Sequence, residues 1–191
     1  WKIIKSWNHA KTKLGGIFGK LHEVKKSKLE EKSIASLEGD DKSTALEHLG
    51  RQIDSKSNAF TALNTAYFQD GIFIKIDKNA VIEKPIYLLN VSMGEQQASQ
   101  TRNLFLVGEN AKVEIVNHFA GNANSGSFTN AVTEVVAEAG SNGKMYLLQE
   151  EGDESNQVNS THIVQKASST FSVLTVTMSG ALVRNNLNFA I

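Results

Sequence analysis

The chain has 191 residues, of which 40% are apolar and 21% charged, and its formal net charge is zero. This composition is typical of a globular protein with a sizeable core, and no apolar run approaches the roughly 20 residues that a membrane-spanning helix needs. Because the chain contains no cysteine, it forms no disulfide and offers no thiolate ligand to zinc or to an iron–sulfur cluster.

The charge is distributed unevenly along the chain. Residues 1–32 carry nine Lys and three Glu, a net charge of +6, so residues 33–191 carry −6. A basic segment can contact nucleic acid or an acidic partner, but it is more often a solvated helix face, and we expect no nucleic-acid partner. The segment "GGIFGKL" (15–21) lacks the first Gly and the final hydroxyl residue of a phosphate-binding loop. Since no apolar signal segment opens the chain, we expect a cytoplasmic protein without membrane association.

Residues 1–69 form the predicted N-terminal helical region. The segments "STALEHLGRQI" and "SNAFTALNTAYF" space their apolar residues three and four apart, with Ser43 and Ser57 as predicted N-caps. The apolar stripes that these helices would bury consist of Leu46, Leu49 and Ile53 in the first and Phe60, Leu63 and Tyr67 in the second. The pair Asp70-Gly71 ends the second helix, because Gly readily adopts the left-handed conformation.

Residues 70–191 form the second predicted domain, which consists of short strands. Runs rich in Val, Ile, Thr, Phe and Leu alternate there with Gly, Asn and Ser. The predicted strands lie at 72–76, 86–92, 102–107, 112–119, 128–138, 143–150, 161–167, 170–178 and 182–190. The stretches "AGNANSGSFT" (120–129) and "EEGDESNQVN" (150–159) are predicted loops.

One sequence pattern recurs with a period near 30 residues. "DKNAVIE" (77–83) aligns with "GENAKVE" (108–114) at an offset of 31, and "VGENAKVEIVN" aligns with "AGSNGKMYLLQ" at an offset of 32. The alignments place Asn79, Asn110 and Asn142 at equivalent corners, where Asn tolerates left-handed backbone and can form side-chain amide ladders. Two strands per repeat indicate a parallel β-helix rather than an antiparallel sandwich, which has strands at similar spacing but no reason to repeat.

Histidines and carboxylates were considered as candidate metal ligands. The histidines show no metal-binding spacing, and a surface or loop position is expected for each. They are His9, His22, His48, His118 and His162.

The acidic candidates are a cluster and a pair. Clustered carboxylates can bind calcium or act on glycosidic bonds, but an acidic loop at a strand end is far commoner. The cluster consists of Glu150, Glu151, Asp153 and Glu154, and the pair on one strand face consists of Glu134 and Glu138.

Arg184 lies in an Asn-rich strand, where it is expected to pair with a carboxylate. The sequence contains no recognisable nucleophile–base set and no GxSxG. We therefore predict no catalytic, cofactor-binding or metal-ligating residue, and no enzyme activity.

Four segments resemble the SufB/SufD family of the SUF iron–sulfur cluster assembly system, and within it the SufD branch. The shared features are the LNTA-x-F-x-DG entry, the RNL-x-x-VGENA block and the closing G-x-LVRN-x-L. The segments are "ALNTAYFQDGIFIKIDKNAVIEKPIYLL" (62–89), "RNLFLVGENAKVEIVNHF" (102–119), "FTNAVTEVVAEAGSNGKMYLLQEE" (128–151) and "GALVRNNLNF" (180–189).

The resemblance implies a right-handed parallel β-helix behind a helical N-terminal region. It also implies a cytoplasmic, non-catalytic scaffold that acts with SufB and the ATPase SufC in a complex that builds an iron–sulfur cluster. In this family the cysteine- and histidine-bearing segment and the SufC-docking region follow the matched part, so the chain resembles a fragment without the C-terminal part. No cofactor is expected on the chain itself, and its last strand would be an open end through which a homodimer could form.

Two alternatives from other classes stay open at this point. A β-helix enzyme acting on carbohydrates would need carboxylates and Arg to converge on one outer face, and Glu134, Glu138 and the 150–154 cluster are its support. A purely structural solenoid would have no partner at all. The family resemblance favours the scaffold.

Overall fold

A computed structural model of the protein describes residues 2–3, 29–51, 53, 58–92, 96–121 and 126–191. In this part of the chain, a single 3₁₀ turn (Ile34–Ser36) precedes helices α1 (Gly39–His48) and α2 (Ala59–Tyr67). The strands are β1 (Lys2–Ile3), β2 (Leu29–Ser33), β3 (Ile72–Ile76), β4 (Ile86–Ser92), β5 (Ala98–Val107), β6 (Lys112–Gly121), β7 (Phe128–Ala137), β8 (Asn142–Glu150), β9 (Asn156–Gln165), β10 (Thr170–Thr177) and β11 (Leu182–Ala190).

The strands from β3 onwards wind into a parallel solenoid with two sheets. Sheet A has the order β1-β4-β6-β8-β10 and sheet B the order β11-β9-β7-β5-β3-β2. Ile86 pairs with Ile115, Lys112 with Asn142 and Asn142 with Thr170, so successive coils advance by 29, 30 and 28 residues. Strands β1 and β2 join the sheet edges in antiparallel orientation. The predicted mainly β architecture of parallel coils of about 30 residues is therefore confirmed.

The chain turns one corner of each coil at a residue with positive φ. These residues are Asn79 (60°), Asn110 (54°), Gly140 (67°) and Ser168 (58°). The predicted amide ladder exists between the first two, where Asn110 Nδ2 donates to Asn79 Oδ1 at 3.2 Å. The prediction for Asn142 is wrong, because this residue pairs with Lys112 inside β8. Its corner belongs to Gly140, where a Cβ would lie 2.3 Å from Asn110 Oδ1, so only glycine fits beneath the ladder.

The half of the solenoid interior next to these corners is apolar. Alternate residues of each strand point inward, and the predicted inward sets Ile72/Ile74/Ile76, Val113/Ile115 and Phe171/Val173 all belong to this core. The buried members are Ile72, Ile74, Ile76, Ala80, Ile82, Ile86, Leu88, Phe105, Val107, Ala111, Val113, Ile115, Val135, Ala137, Met145, Ile163 and Phe171.

The two predicted loops are shorter in the structure than in the prediction. Strand β9 begins at Asn156, so the second half of the predicted loop 150–159 is a strand. Its polar residues look like loop residues because half of them face a polar part of the interior rather than an apolar core. In the predicted loop 120–129, residues 120–121 end β6 and residues 128–129 begin β7, while residues 122–125 lie outside the described part.

Helix α1 begins earlier than predicted and buries a different face. Ser43 lies inside the helix and its hydroxyl donates to the Gly39 carbonyl at 3.4 Å, so it is not the N-cap. Leu46 is 61% exposed, whereas Asp41 and Ala45 are buried. Lys32 donates to the Asp41 carboxylate and holds the pKa of that group at about 2. This charged contact, rather than the predicted leucine stripe, orients the helix.

Helix α2 also reverses the predicted stripe. Leu63 and Tyr67 are 37% and 67% exposed, and the fully buried residues are Thr61 and Asn64. The predicted cap Ser57 lies outside the described residues, and the N-cap of α2 is Asn58. The helix packs against the outer face of sheet B at β5 and β7. Its contact face is polar because it bonds to strand backbone there rather than to apolar side chains.

Candidate functional site

A buried ion pair lies on the outer face of sheet B, beneath the segment that follows α1. Arg102 of β5 and Glu134 of β7 approach to 2.8 Å between Nη2 and Oε1, and Arg102 Nε donates to the same oxygen at 2.9 Å. Their side chains are 2% and 0% exposed. The backbone N–H of Gly50 donates to both Glu134 oxygens, at 2.9 and 3.0 Å. Glu134 is therefore fully engaged and closed to any substrate.

The same arginine also bonds to helix α2. Arg102 Nη1 donates to Thr65 Oγ1 at 2.9 Å and to Asn64 Oδ1 at 3.4 Å. Asn64 Nδ2 donates in turn to the carbonyls of Thr101 (2.8 Å) and Asn130 (2.9 Å). One guanidinium group thus joins the helical region to two neighbouring coils of the solenoid.

The acidic cluster at 150–154 does not converge on one point. Glu150 lies on the outer face of sheet A, Glu151 points into the solenoid interior, and Asp153 and Glu154 are exposed at the corner. Alternation along the strand separates neighbouring side chains onto opposite faces. The carbohydrate-enzyme hypothesis needs these carboxylates together on one outer face, and the structure does not bring them together.

Glu151 is 1% exposed and is held from one side only. Oε1 accepts hydrogen bonds from Thr129 Oγ1 at 2.6 Å and from Ser92 Oγ at 2.8 Å. Oε2 has no hydrogen-bond partner within the protein. Burial raises the pKa of this carboxyl above its usual 4.5, and the two hydroxyl donors oppose that shift.

Glu151 belongs to a polar half of the interior, which we call the polar interior. Its residues occupy the same inward positions along the strands as the apolar core but lie at the opposite side of each coil. They are Asn90, Ser92, Ser99, Thr101, Asn103, Asn117, Thr129, Thr133, Gln149, Glu151, Gln157, Asn159 and Thr161, all buried. Sequence reasoning missed it because polar residues in a strand normally face water. The inward positions of Phe105, Val135 and Ile163, extended backwards by two and four residues, would have revealed it.

A second ionisable cluster lies on the outer face of sheet A. His118 of β6 is 5% exposed, so the expectation that it is a surface histidine is wrong. Its Nε2 lies 3.3 Å from Glu150 Oε2, and its Nδ1 is hydrogen-bonded by the Tyr87 hydroxyl. Burial raises the pKa of Tyr87 to about 12, so the hydroxyl keeps its proton. The arrangement therefore fits a neutral imidazole that accepts at Nδ1 and donates at Nε2.

His118 should make stability depend on pH. Burial lowers the pKa of His118 below its usual 6.5, and the Glu150 carboxylate offsets this only in part. The folded state then disfavours the proton, so stability is complete above pH 6.5 and is lost as pH falls below it. We expect thermal melts of the wild type to shift downward between pH 7 and pH 5, and those of His118→Gln to shift less. A ring pKa above 6.5 in an NMR titration would contradict this.

The remaining candidates lie apart from these clusters. His48 ends α1, and His162 lies within β9 rather than at its start, with its pKa lowered first by burial and then by the charge of Arg102. Arg184 is exposed and donates to Asn186 Oδ1 at 3.0 Å rather than to a carboxylate, so its predicted pairing is wrong. Glu138 is half-buried just beyond β7. His9 and His22 lie outside the described residues.

Two searches of the described residues concern metals and membranes. Among these residues, no three His, Cys, Asp or Glu side chains come together as a metal site would require. The same part of the chain holds no helix with the length and apolarity to span a membrane.

Comparison with known proteins gives two family matches and one curated relative. Residues 90–191 match the family described as "SUF system FeS cluster assembly, SufBD core domain", and residues 16–88 match "SufBD protein N-terminal region". The chain is 30% identical over 137 residues to "Protein ABCI7, chloroplastic" of Arabidopsis thaliana. That alignment covers 68% of this chain and 29% of the plant protein, so the chain spans less than a third of this relative.

Proposed function

We propose, from the premise that this chain belongs to the SufB/SufD family of SUF iron–sulfur cluster assembly proteins, that it is a non-catalytic scaffold of the SUF complex. In this role it acts beside a SufB homologue and a SufC-type ATPase. The cluster is cargo that the assembled complex builds, and this chain contributes no ligand to it, because it has no cysteine.

The observation that carries the proposal is the position of the core-domain match on the fold. Residues 90–191 run from the end of β4 through β11, which is most of the solenoid. Solenoid coils contact mainly their neighbours and form an extended rigid surface, which suits a subunit that positions partners. We also propose that the domain boundary lies at residue 70, with the helical region before it and the solenoid after it.

We assign the chain to the SufD branch and place it in the cytoplasm. The segment "LNTAYFQDG" (62–70 and Gly71) supports the SufD assignment, and its polar residues have buried roles here. Asn64 bonds to two strand carbonyls, while Asp70 accepts from the Ser33 hydroxyl at 2.8 Å and from the Ala35 N–H at 3.1 Å. The name of the plant relative places that protein in the chloroplast.

The enzyme alternative loses its main support in the structure. Glu134 is paired with Arg102 in a buried site, and Glu151 faces the interior. Glu138 and Glu150 remain, but they lie on different sheets. A purely structural solenoid stays the second candidate, and it differs from the scaffold in having no partner.

Co-purification tests the scaffold. The complete gene would be co-expressed with its SufB and SufC homologues, the tagged protein captured, and the eluate assayed for both partners, ATPase activity, iron and sulfide. We expect both partners in stoichiometric amounts. A partner-free protein would contradict the scaffold and favour the structural solenoid.

Two variants connect that result to the solenoid. Ile115 is fully buried, and Ile115→Asp places a charge in the apolar core, so partner recovery should fall together with folding. Val81 is 50% exposed, and Val81→Asp should leave recovery unchanged. Loss of recovery in both variants would indicate that residue 81, not the intact solenoid, governs the interaction.

A further inference from the structure

The polar interior is unusual in how many of its side-chain atoms lack a protein partner. Buried polar groups in folded proteins are almost always hydrogen-bonded. Here, both side-chain amide atoms of Gln149 and of Gln157 have no partner within the protein, and neither has Glu151 Oε2. These three residues are at most 1% exposed. Unpaired buried groups on one side of the interior indicate a site for something small and polar.

The three side chains converge on one part of the interior. Gln157 pairs in register with Thr129, whose hydroxyl donates to Glu151. Gln157 also pairs with Val183 of β11. A Cβ placed on Gly180 would lie 2.7 Å from Val183 and 3.3 Å from Gln149 Nε2, so Gln149 lies beside the same strand. The register thus brings the carboxylate and both amides to the same level of the coil.

The charge of this site is a single, uncompensated negative one. Among the ion pairs of the described residues, none involves Glu151. An isolated buried carboxylate is costly unless a positive charge or a proton neutralises it. Because burial raises its pKa, ionised Glu151 weakens the fold as pH rises through that pKa. A bound cation would remove this penalty near neutral pH.

We propose that the polar interior binds one alkali-metal cation, Na⁺ or K⁺, between Glu151 Oε2 and the amide oxygens of Gln149 and Gln157. Hard cations take carboxylate and amide oxygens as ligands, and calcium sites generally use several carboxylates. One carboxylate balances one positive charge, which selects a monovalent ion. The Ser92 and Thr129 hydroxyls fix Oε1 and leave Oε2 directed at the ion.

Thermal stability tests the site on the protein expressed from its complete gene. Melting temperature would be measured in NaCl, KCl and choline chloride at equal ionic strength, because choline is too large for the interior. Ten-fold saturation should raise the melting temperature by about 3–5 °C in one alkali salt over choline. Glu151→Gln should abolish that difference, and Glu150→Gln, the adjacent outward residue, should keep it.

Equal melting temperatures of the wild type in all three salts would overturn the proposal and leave a protonated Glu151. A salt-specific rise that persists in Glu151→Gln would also overturn it, because the ion would then bind elsewhere. Should Glu151→Gln fail to fold, crystals of the wild type grown in RbCl decide the matter. An anomalous peak beside Glu151 supports the site, and a polar interior without one contradicts it. None of these readouts depends on a SUF partner, so they succeed or fail independently of the scaffold.

Discussion

Replacing Glu134 by Ala should lower the free energy of unfolding by about 3–5 kcal/mol, the usual cost of removing one partner from a buried ion pair. Arg102 would keep its bonds to Thr65 and Asn64, but its charge would be buried at 2% exposure without a counter-charge. The Gly50 N–H would lose its acceptor as well. Urea denaturation followed by circular dichroism measures the change.

The matched control is an exposed pair on the other sheet. Lys144 Nζ lies 3.6 Å from Glu114 Oε1, with side chains 50% and 35% exposed. Glu114→Ala should cost at most about 1 kcal/mol, because solvent screens such pairs. If the two single variants lost equal stability, the buried pair would not be the structural contact described above. Arg102→Met combined with Glu134→Leu should recover much of the loss, since neither charge then stays buried.

The ion pair also predicts where the loss is felt first. Its partners lie on β5 and β7, but its hydrogen bonds extend to α2 and to the segment after α1. In Glu134→Ala, hydrogen exchange should therefore increase in residues 59–67 more than in β8 and β10 of the opposite sheet. Uniform exchange across the solenoid would indicate global rather than local unfolding.

Much of the solenoid is predictable because its local rules are strict. Inward positions alternate in every strand, and each coil needs a left-handed corner, so Asn79 and Asn110 were recognisable from sequence. The third corner was missed because Gly140 and Asn142 are both residues that tolerate such backbone. Only the register, in which Lys112 pairs with Asn142, distinguishes the 30-residue step from the 32-residue alignment.

The helices and the polar interior were missed for a common physical reason. Sequence periodicity assumes that apolar residues are buried and polar ones exposed. Helix α2 breaks this rule because Asn64 bonds to strand carbonyls at the sheet surface. The interior breaks it because Gln149, Glu151 and Gln157 face inward. Tertiary contacts that a linear pattern does not contain decide both cases.

Gly71→Ala should be more damaging than its small change in volume suggests. A Cβ on Gly71 would lie 1.6 Å from the carbonyl oxygen of Arg102 and 2.5 Å from its carbonyl carbon. Both atoms are backbone, so no side-chain rotation relieves the clash and the start of β3 must move away from β5. We expect a loss of about 3 kcal/mol or more, at the upper end for an overpacked site. Chemical denaturation measures it, with near-ultraviolet circular dichroism as a check on native packing.

Gly39 supplies the control that separates crowding from backbone strain. Its φ is +56° and a Cβ there would meet no atom within 4 Å, so Gly39→Ala introduces left-handed strain alone, at about 1–2 kcal/mol. Gly71 shows the opposite case, since its cost arises from contact with Arg102. A smaller loss for Gly71→Ala than for Gly39→Ala would mean that β3 and β5 can separate freely. The helical region would then be joined to the solenoid through the Arg102 side chain and not through the close approach of the two backbones.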